Sequence, residues 1–148
     1  MGSTYLSLHF HIVFSTKKRQ PYIAAAWRAR LHEYLGGTIR GFGGVAEGVG
    51  GVEDHVHLLV GLRATHNLAD LVRELKKSAT NWVHEEIHET AFAWQEGYGA
   101  FTVSPTARAA VKRYISNQES HHRQRSYEEE FIDLLAQAKV EYDPQYLW

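Results

Sequence analysis

The first part of the chain alternates strictly between apolar and polar positions. In the segment YLSLHFHIVF, one side of an extended chain would carry Leu6, Leu8, Phe10, Ile12 and Phe14. Successive side chains of a strand point to opposite faces, so this period of two predicts a strand with one face in a core. His9 and His11 fall on the other face.

The pattern then changes between helical and extended spacing. The segment AAAWRARLHEYLGGTIRGF predicts a helix of about four turns, weakened near Gly36 and Gly37. GGVAEGVGGVEDHVHLLVG predicts two short strands around a glycine-rich turn, the second over about 53–60. Apolar residues recur at helical spacing from Leu68 to Val83, which predicts a long amphipathic helix. FAWQEGYGAFTV predicts one or two further strands.

The end of the chain is predicted to be helical. Ser104 as N-cap and Pro105 as first helical residue start a helix that runs to about Asn117 or beyond. Ser126 and Glu129 stand at capping-box spacing and start a final helix, after which the tail VEYDPQYLW is apolar enough to dock. The order βαββαβ(β)αα predicts an α+β sandwich, a mostly antiparallel sheet with packed helices, in a single domain over 1–148.

The composition excludes several classes of protein but does not identify the function. The chain has no cysteine, which excludes disulfides and thiolate zinc sites, and no apolar run of about 18 residues, so we expect a soluble, cytoplasmic protein without membrane contact. Its net charge of −1 argues against an indiscriminate polyanion binder. Basic residues are nevertheless clustered: residues 101–126 hold Arg108, Lys112, Arg113, Arg123 and Arg125 against Glu119 alone. Solvated helix faces would also explain this.

Two histidines share one face of the strand VEDHVHLLVG. The period of two puts His55 and His57 together, while Val56 and Leu58 point the opposite way. Two imidazoles held side by side can bind a divalent ion and leave room for water or substrate. Ten histidines would give about 0.7 such pairs by chance, so ordinary histidines on a polar face remain an alternative.

A second histidine motif suggests a different enzyme. HEEIH, from His84 to His88, fits the H-E-x-x-H pattern of zinc peptidases. At about 100° per residue, however, both histidines fall on the side opposite the apolar stripe that starts at Leu68. We therefore expect them to face water, and we disfavour a peptidase.

A late helix offers a nucleophile. Tyr114 and Gln118 are four residues apart and share a face, on which small side chains leave the hydroxyl accessible and which His121 extends. A tyrosine is often only a packing residue, and its hydroxyl, with a pKa near 10, needs help to attack. Beside His55 and His57, Gln118 could supply a third metal ligand, and the ion could orient a phosphodiester for attack by Tyr114.

Five motifs in order carry a family resemblance. They are HFHIVFSTKKRQP, GGVEDHVHLLV, WQEGYGAFTVS, VKRYISNQESHHR and VEYDPQYLW, spread over almost the whole chain. With them the chain resembles the single-tyrosine HUH transposases of "peel-and-paste" insertion sequences, which are relatives of the REP-associated tyrosine transposases.

The resemblance implies a ferredoxin- or RRM-like sandwich and a specific chemistry. His55, His57 and Gln118 would be metal ligands for Mg²⁺ or Mn²⁺, and Tyr114 would capture a 5′-phosphate of single-stranded DNA and free a 3′-hydroxyl. Such enzymes are expected to act as homodimers on hairpins at the ends of an element, with active sites that can combine two subunits. Imidazoles favour Mn²⁺ over Mg²⁺.

The basic clusters are the candidate DNA contacts. We expect phosphates to be bound by Lys17, Lys18, Arg19, Lys76, Lys77, Arg108, Lys112 and Arg113. His11 and His121 could support the metal site from a second layer, although a plain polar-face position is the simpler interpretation of His11. The alternative of a different class is a non-catalytic module that binds single-stranded or hairpin nucleic acid without cutting it.

Overall fold

The computed structural model describes residues 2–122 and 125–148. Within them the chain forms four strands: β1 (His9–Ser15), β2 (Val45–Gly51), β3 (His55–Gly61) and β4 (Gly99–Thr102). Five α-helices accompany them: α1 (Ala25–Gly41), α2 (Leu68–Trp82), α3 (Arg108–Ser116), α4 (Gln118–His122) and α5 (Tyr127–Gln137). In this part of the chain, no helix combines the length and the apolar character needed to cross a membrane.

The four strands form one antiparallel sheet in the order β2-β3-β1-β4. β1 and β3 are central, with Val13 opposite His57 and Phe14 opposite Val56. A βαββαβ chain with β1 and β3 in the middle has the ferredoxin-like arrangement. The predicted α+β class is confirmed.

One face of the sheet packs against α1 and α2. The main core joins Ile12 and Phe14 of β1, Leu58 of β3, Leu35 of α1 and Leu75 of α2, all essentially inaccessible to solvent. The predicted alternation is confirmed from Phe10 onwards. It fails before His9, because β1 pairs with β3 only from the His9–Gly61 position, and Leu6 is exposed.

The other face of the sheet carries α3 and the segment that follows it. Leu59, Val103 and Ile115 form a second, smaller apolar cluster there. The C-terminal end of α3 lies directly on β2, since a Cβ at Gly50 would collide with the carbonyl oxygen of Ile115. The absence of a side chain at Gly50 thus lets the end of α3 approach the sheet closely.

The late helices differ from the sequence prediction at one end and agree at the other. The N-cap of α3 is Ala107, and the side chain of Ser104 pairs with the Thr106 hydroxyl instead of capping a helix. The prediction for Ser104 is wrong because a turn over 105–107 comes before α3. The capping box of Ser126 and Glu129 is confirmed at the start of α5.

Candidate active site

His55 and His57 are both fully buried under the late helices. Their neighbours Val56 and Leu58 belong to the main core, so the pleat of β3 directs the two imidazoles to the opposite face. The rings lie with their centroids 5.0 Å apart. The pair is therefore fixed by a central strand, between the sheet and the segment after α3.

The centre of the site is a carboxylate from α5. Glu130 is fully buried, and its Oε1 accepts hydrogen bonds from the Nε2 atoms of His57 at 2.9 Å and His122 at 3.2 Å. His55 Nε2 is 3.3 Å from the same oxygen. Three imidazoles from β3 and α4 thus converge on a single carboxylate oxygen.

Tyr114 and Gln118 approach the second oxygen of the same carboxylate. The Tyr114 hydroxyl donates to Glu130 Oε2, and Gln118 Nε2 donates to it at 3.2 Å. The amide oxygen of Gln118 lies 3.1 Å from His55 Nε2. One chain therefore brings its tyrosine hydroxyl, its two strand histidines and its helical amide into one cluster.

A second layer of side chains orients the imidazoles. His55 Nδ1 donates to Asp54 Oδ1 at 2.7 Å, and His11 Nε2 lies 2.7 Å from His57 Nδ1. The ring of His121 lies 4.6 Å from that of Tyr114. Partners on the far nitrogen fix the tautomer and the direction of an imidazole, which is how ligating histidines are held in metal sites.

The two strand histidines differ in their protonation state. Burial lowers the pKa of both, but hydrogen bonds to Asp54 and Glu130 outweigh it at His55 and raise its pKa to about 9. At His57, burial prevails and the pKa falls to about 4. Burial also lowers the pKa of His11, to about 3. Near neutral pH, His55 is thus a cation and His57 and His11 are neutral.

The pKa values of Glu130 and Tyr114 are shifted too. Burial alone would raise the pKa of Glu130, yet hydrogen bonds from His122, His55 and His57 hold it well below its usual range, so Glu130 is an anion. Burial and the neighbouring Glu130 raise the pKa of the Tyr114 hydroxyl, which is therefore protonated at rest. The buried Glu130 anion is stable there because the buried imidazolium of His55 lies beside it.

The cluster fits a divalent cation. His55, His57, His122 and Glu130 each offer one ligand atom, and these atoms lie within 4.8 Å of one another. Imidazole nitrogens and a carboxylate oxygen suit Mn²⁺ and its first-row neighbours, and suit Mg²⁺ less well. At rest, the protonated His55 supplies the positive charge beside Glu130. A bound cation would supply that charge in its place.

Sequence reasoning missed two members of this cluster, Glu130 and His122. Glu130 stands in the acidic run Glu128–Glu130, which resembles a solvated helix start. The available signal was spacing: on α5, Tyr127, Glu130 and Leu134 lie three or four residues apart, so Glu130 falls within a stripe of apolar residues. A charged residue in such a stripe is buried and needs a partner.

The predicted basic residues lie on different surfaces. Lys112 and Arg113 are exposed on α3, and Arg108 pairs with Glu47. In the turn after β1, Lys17 and Lys18 are exposed, while Arg19 pairs with Glu128. Arg123 lies outside the described residues.

The two predicted contacts on α2 lie in the helix layer across the sheet from the cluster. Lys77 is exposed there. Lys76 instead donates to the carbonyl oxygens of Gln95 and Gly97, each at 2.8 Å, so its charge helps to hold the loop before β4.

The H-E-x-x-H motif does not form a metal site. Regular α-helix ends at Trp82, a π-helical turn covers Val83–Ile87, and His88 is exposed with a positive φ of 66°. His84 is only partly exposed, because its Nε2 donates to the carbonyl oxygen of Phe92 at 2.8 Å. Its expected orientation towards water is thus only partly correct, but the motif lies apart from the histidine cluster.

The sequence profile of the family "Transposase IS200 like" matches residues 4–118. The chain belongs to this family of transposases. The match ends at Gln118, so it includes Tyr114 and both strand histidines, while His122 and Glu130 follow it. Family and fold together support the role of a transposase, which is a DNA-cleaving enzyme.

Two solved structures resemble this IS200-like chain. A candidate transposase from Deinococcus radiodurans R1 is 25% identical, covering 80% of this chain and 95% of its own, with a TM-score of 0.63. A REP-associated tyrosine transposase bound to a REP hairpin shares the fold, with a TM-score of 0.57 and 14% identity over 78% of this chain and 68% of its own. A comparison with curated proteins gave no match.

Proposed function

We propose that this protein cuts and rejoins single-stranded DNA through a covalent bond between Tyr114 and a 5′-phosphate. One observation carries the proposal: the Tyr114 hydroxyl donates to a carboxylate that accepts hydrogen bonds from two imidazoles and lies 3.3 Å from a third. A nucleophile next to a buried charged cluster, in a transposase of this family, is the arrangement that phosphoryl transfer requires.

In the proposed reaction, Tyr114 Oη forms a bond to phosphorus and the bond from phosphorus to the 3′-oxygen breaks. Because its hydrogen bonds keep Glu130 an anion, the phenolic proton leaves for water when the hydroxyl releases Glu130 Oε2. The 3′-oxygen leaves with the bonding electron pair and takes a proton from water to become a 3′-hydroxyl. The reverse attack by a 3′-hydroxyl on the phosphotyrosine rejoins the strand, and no nucleotide cofactor is consumed.

A divalent cation, Mn²⁺ or Mg²⁺, would be held by His55, His57 and Glu130, with Gln118 Oε1 and His122 beside them. Its chemistry would be to draw electron density from a non-bridging phosphate oxygen, which makes the phosphorus easier to attack. Asp54 and His11 would then keep the two strand imidazoles in position.

The proposed substrate is single-stranded DNA with hairpins at the ends of a mobile element. The REP-associated relative was solved with a hairpin, and the exposed Lys112 and Arg113 place positive charge on the helix that carries Tyr114. Phosphate contacts of this kind supply affinity and position the strand. The predicted homodimer is part of the same proposal.

The decisive test is covalent capture of DNA. Single-stranded DNA from the flanks of the gene, incubated with the protein and Mn²⁺, should yield a slower protein band on a denaturing gel. Tyr114→Phe removes the nucleophilic oxygen and should abolish that band, whereas Tyr5→Phe, at a residue that is 90% exposed, should leave it unchanged.

The same experiment distinguishes the proposed enzyme from the alternative function. A protein that binds the hairpin but forms no adduct with any divalent ion would be a non-catalytic nucleic-acid-binding module. An adduct that persists in Tyr114→Phe would contradict the role of this residue.

A further inference from the structure

A cavity of about 400 Å³ opens beside Tyr114, on the face of the sheet that carries the histidine cluster. Its walls come from three places: α3, the β4 region with Phe101, and the end of α5. Tyr114 and His11 also line it. Such a volume lies within the range of pockets that hold small organic ligands.

The wall of this cavity is mainly apolar and partly aromatic. Phe101 lines one side, with Val111 and Leu134 elsewhere along the wall, and the small side chain of Ala110 leaves the space open. Nucleobases present flat faces that stack on aromatic side chains, without regard to base identity. A single unpaired base is therefore a suitable occupant.

One cation, Arg125, belongs to the lining of the cavity together with Tyr114. Its guanidinium forms an ion pair with Asp133. Arginine stays charged at all relevant pH values, and its planar donors match two oxygens of a phosphate. The cavity thus combines an apolar wall, a phosphate-binding group and the candidate nucleophile.

We propose that this cavity is the subsite for the nucleotide whose 5′-phosphate becomes joined to Tyr114, with its base on the Phe101 wall and its phosphate on Arg125. The proposal rests on the proposed function and adds to it a base pocket and a second phosphate-binding group. Arg125 would balance the negative charge that builds up on the phosphate oxygens during attack.

Two pairs of variants test the subsite. Ala110→Leu fills the cavity, whereas Ala109→Leu adds the same side chain one position away on α3, outside the cavity lining. Both alanines are exposed and leucine favours helices, so both variants should fold. Arg125→Gln removes the charge, and Arg125→Lys restores it without the planar fork of donors.

The first measurement is the rate of adduct formation at saturating single-stranded DNA. We expect Ala110→Leu to lower the rate roughly tenfold and Arg125→Gln about 100-fold, with Arg125→Lys in between and Ala109→Leu equal to the wild type. If Ala110→Leu matches Ala109→Leu, or if Arg125→Gln reacts like the wild type, the subsite is wrong although the transposase chemistry stands.

The second measurement needs no chemistry. In a Tyr114→Phe background, fluorescence anisotropy compares binding of a hairpin with and without its single-stranded extension. Ala110→Leu and Arg125→Gln should remove the affinity gained from the extension and leave binding of the hairpin alone unchanged. If the wild type forms no adduct but the extension still depends on these residues, the subsite stands and the proposed chemistry fails. If the extension binds equally in all variants, the subsite is overturned.

Discussion

Glu130 illustrates how a single residue organises this site. A buried carboxylate is costly unless charge and hydrogen bonds compensate for the lost water. Here His57, His122, Tyr114 and Gln118 donate to it, and the imidazolium of His55 lies 3.3 Å away. Glu130 therefore binds the helix α5 to the functional groups of β3, α3 and α4.

His32 on α1 allows a test of the electrostatics away from this cluster. Its Nε2 is buried and has no hydrogen-bond partner in the described part of the chain. Burial, and then the nearby Arg28, lower the pKa of His32 to about 4. In the unfolded chain His32 takes up a proton near pH 6.5, whereas in the folded chain it does so only near pH 4. The free energy of unfolding therefore falls as the pH falls from 6.5 towards 4.

His32→Gln should reduce this pH dependence. Between pH 7 and pH 5, the free energy of unfolding of the wild type should fall by about 2 kcal/mol more than that of the variant. Urea unfolding at the two pH values measures the difference. Equal losses in both proteins would show that His32 titrates normally in the folded state.

At the scale of elements, the position of α3 decides where Tyr114 and Gln118 lie. The end of this helix rests on β2, where Gly50 leaves no room for a side chain beneath the Ile115 carbonyl. A shift of α3 at this point would move both Tyr114 and Gln118 away from Glu130. Packing at Gly50 is thus a condition for the geometry of the site.

Gly50→Ala should therefore destabilise the protein by about 1–3 kcal/mol, because the added methyl group forces backbone to move. Gly48→Ala is the matched control on the same strand, since its new Cβ would lie at an ordinary 3.6 Å from Lys112 Cγ. Thermal or urea unfolding compares the two variants. Equal stability of the two would contradict the close approach of α3 to β2.

The sequence predicts some elements well and others poorly for physical reasons. The face of His55 and His57 follows from the period of two around Val56 and Leu58, and the bounds of α1 and α2 follow from helical spacing. The start of α3 is wrong because Ser104 can satisfy its hydroxyl through Thr106 in a turn. The local sequence does not show whether a serine caps a helix or forms a hydrogen bond within a turn.

Partners that are distant in sequence are harder to predict. Glu130 joins His57 across 73 positions, and only the folding of α5 onto the sheet brings the two together. The family resemblance points to Tyr114, Gln118, His55 and His57, and the structure places these four residues together. Their roles as nucleophile and ligands remain predictions.

At the scale of the whole molecule, one chain supplies every member of the proposed site. The imidazoles come from β3 and α4, the hydroxyl from α3, the amide from the start of α4, and the carboxylate from α5. Subunits could exchange their tyrosine helices in a dimer, but this geometry needs no such exchange. We therefore propose that Tyr114 acts beside His55 and His57 of its own chain.

Mixing two inactive variants tests this claim directly. Tyr114→Phe retains the histidines, and His57→Ala retains the tyrosine, so only a site shared between subunits could regain activity in a mixture. With wild-type protein as the positive control for adduct formation on single-stranded DNA, we predict that an equal mixture of the two variants forms no adduct. A covalent protein–DNA band that returns on mixing would contradict a site completed within one chain.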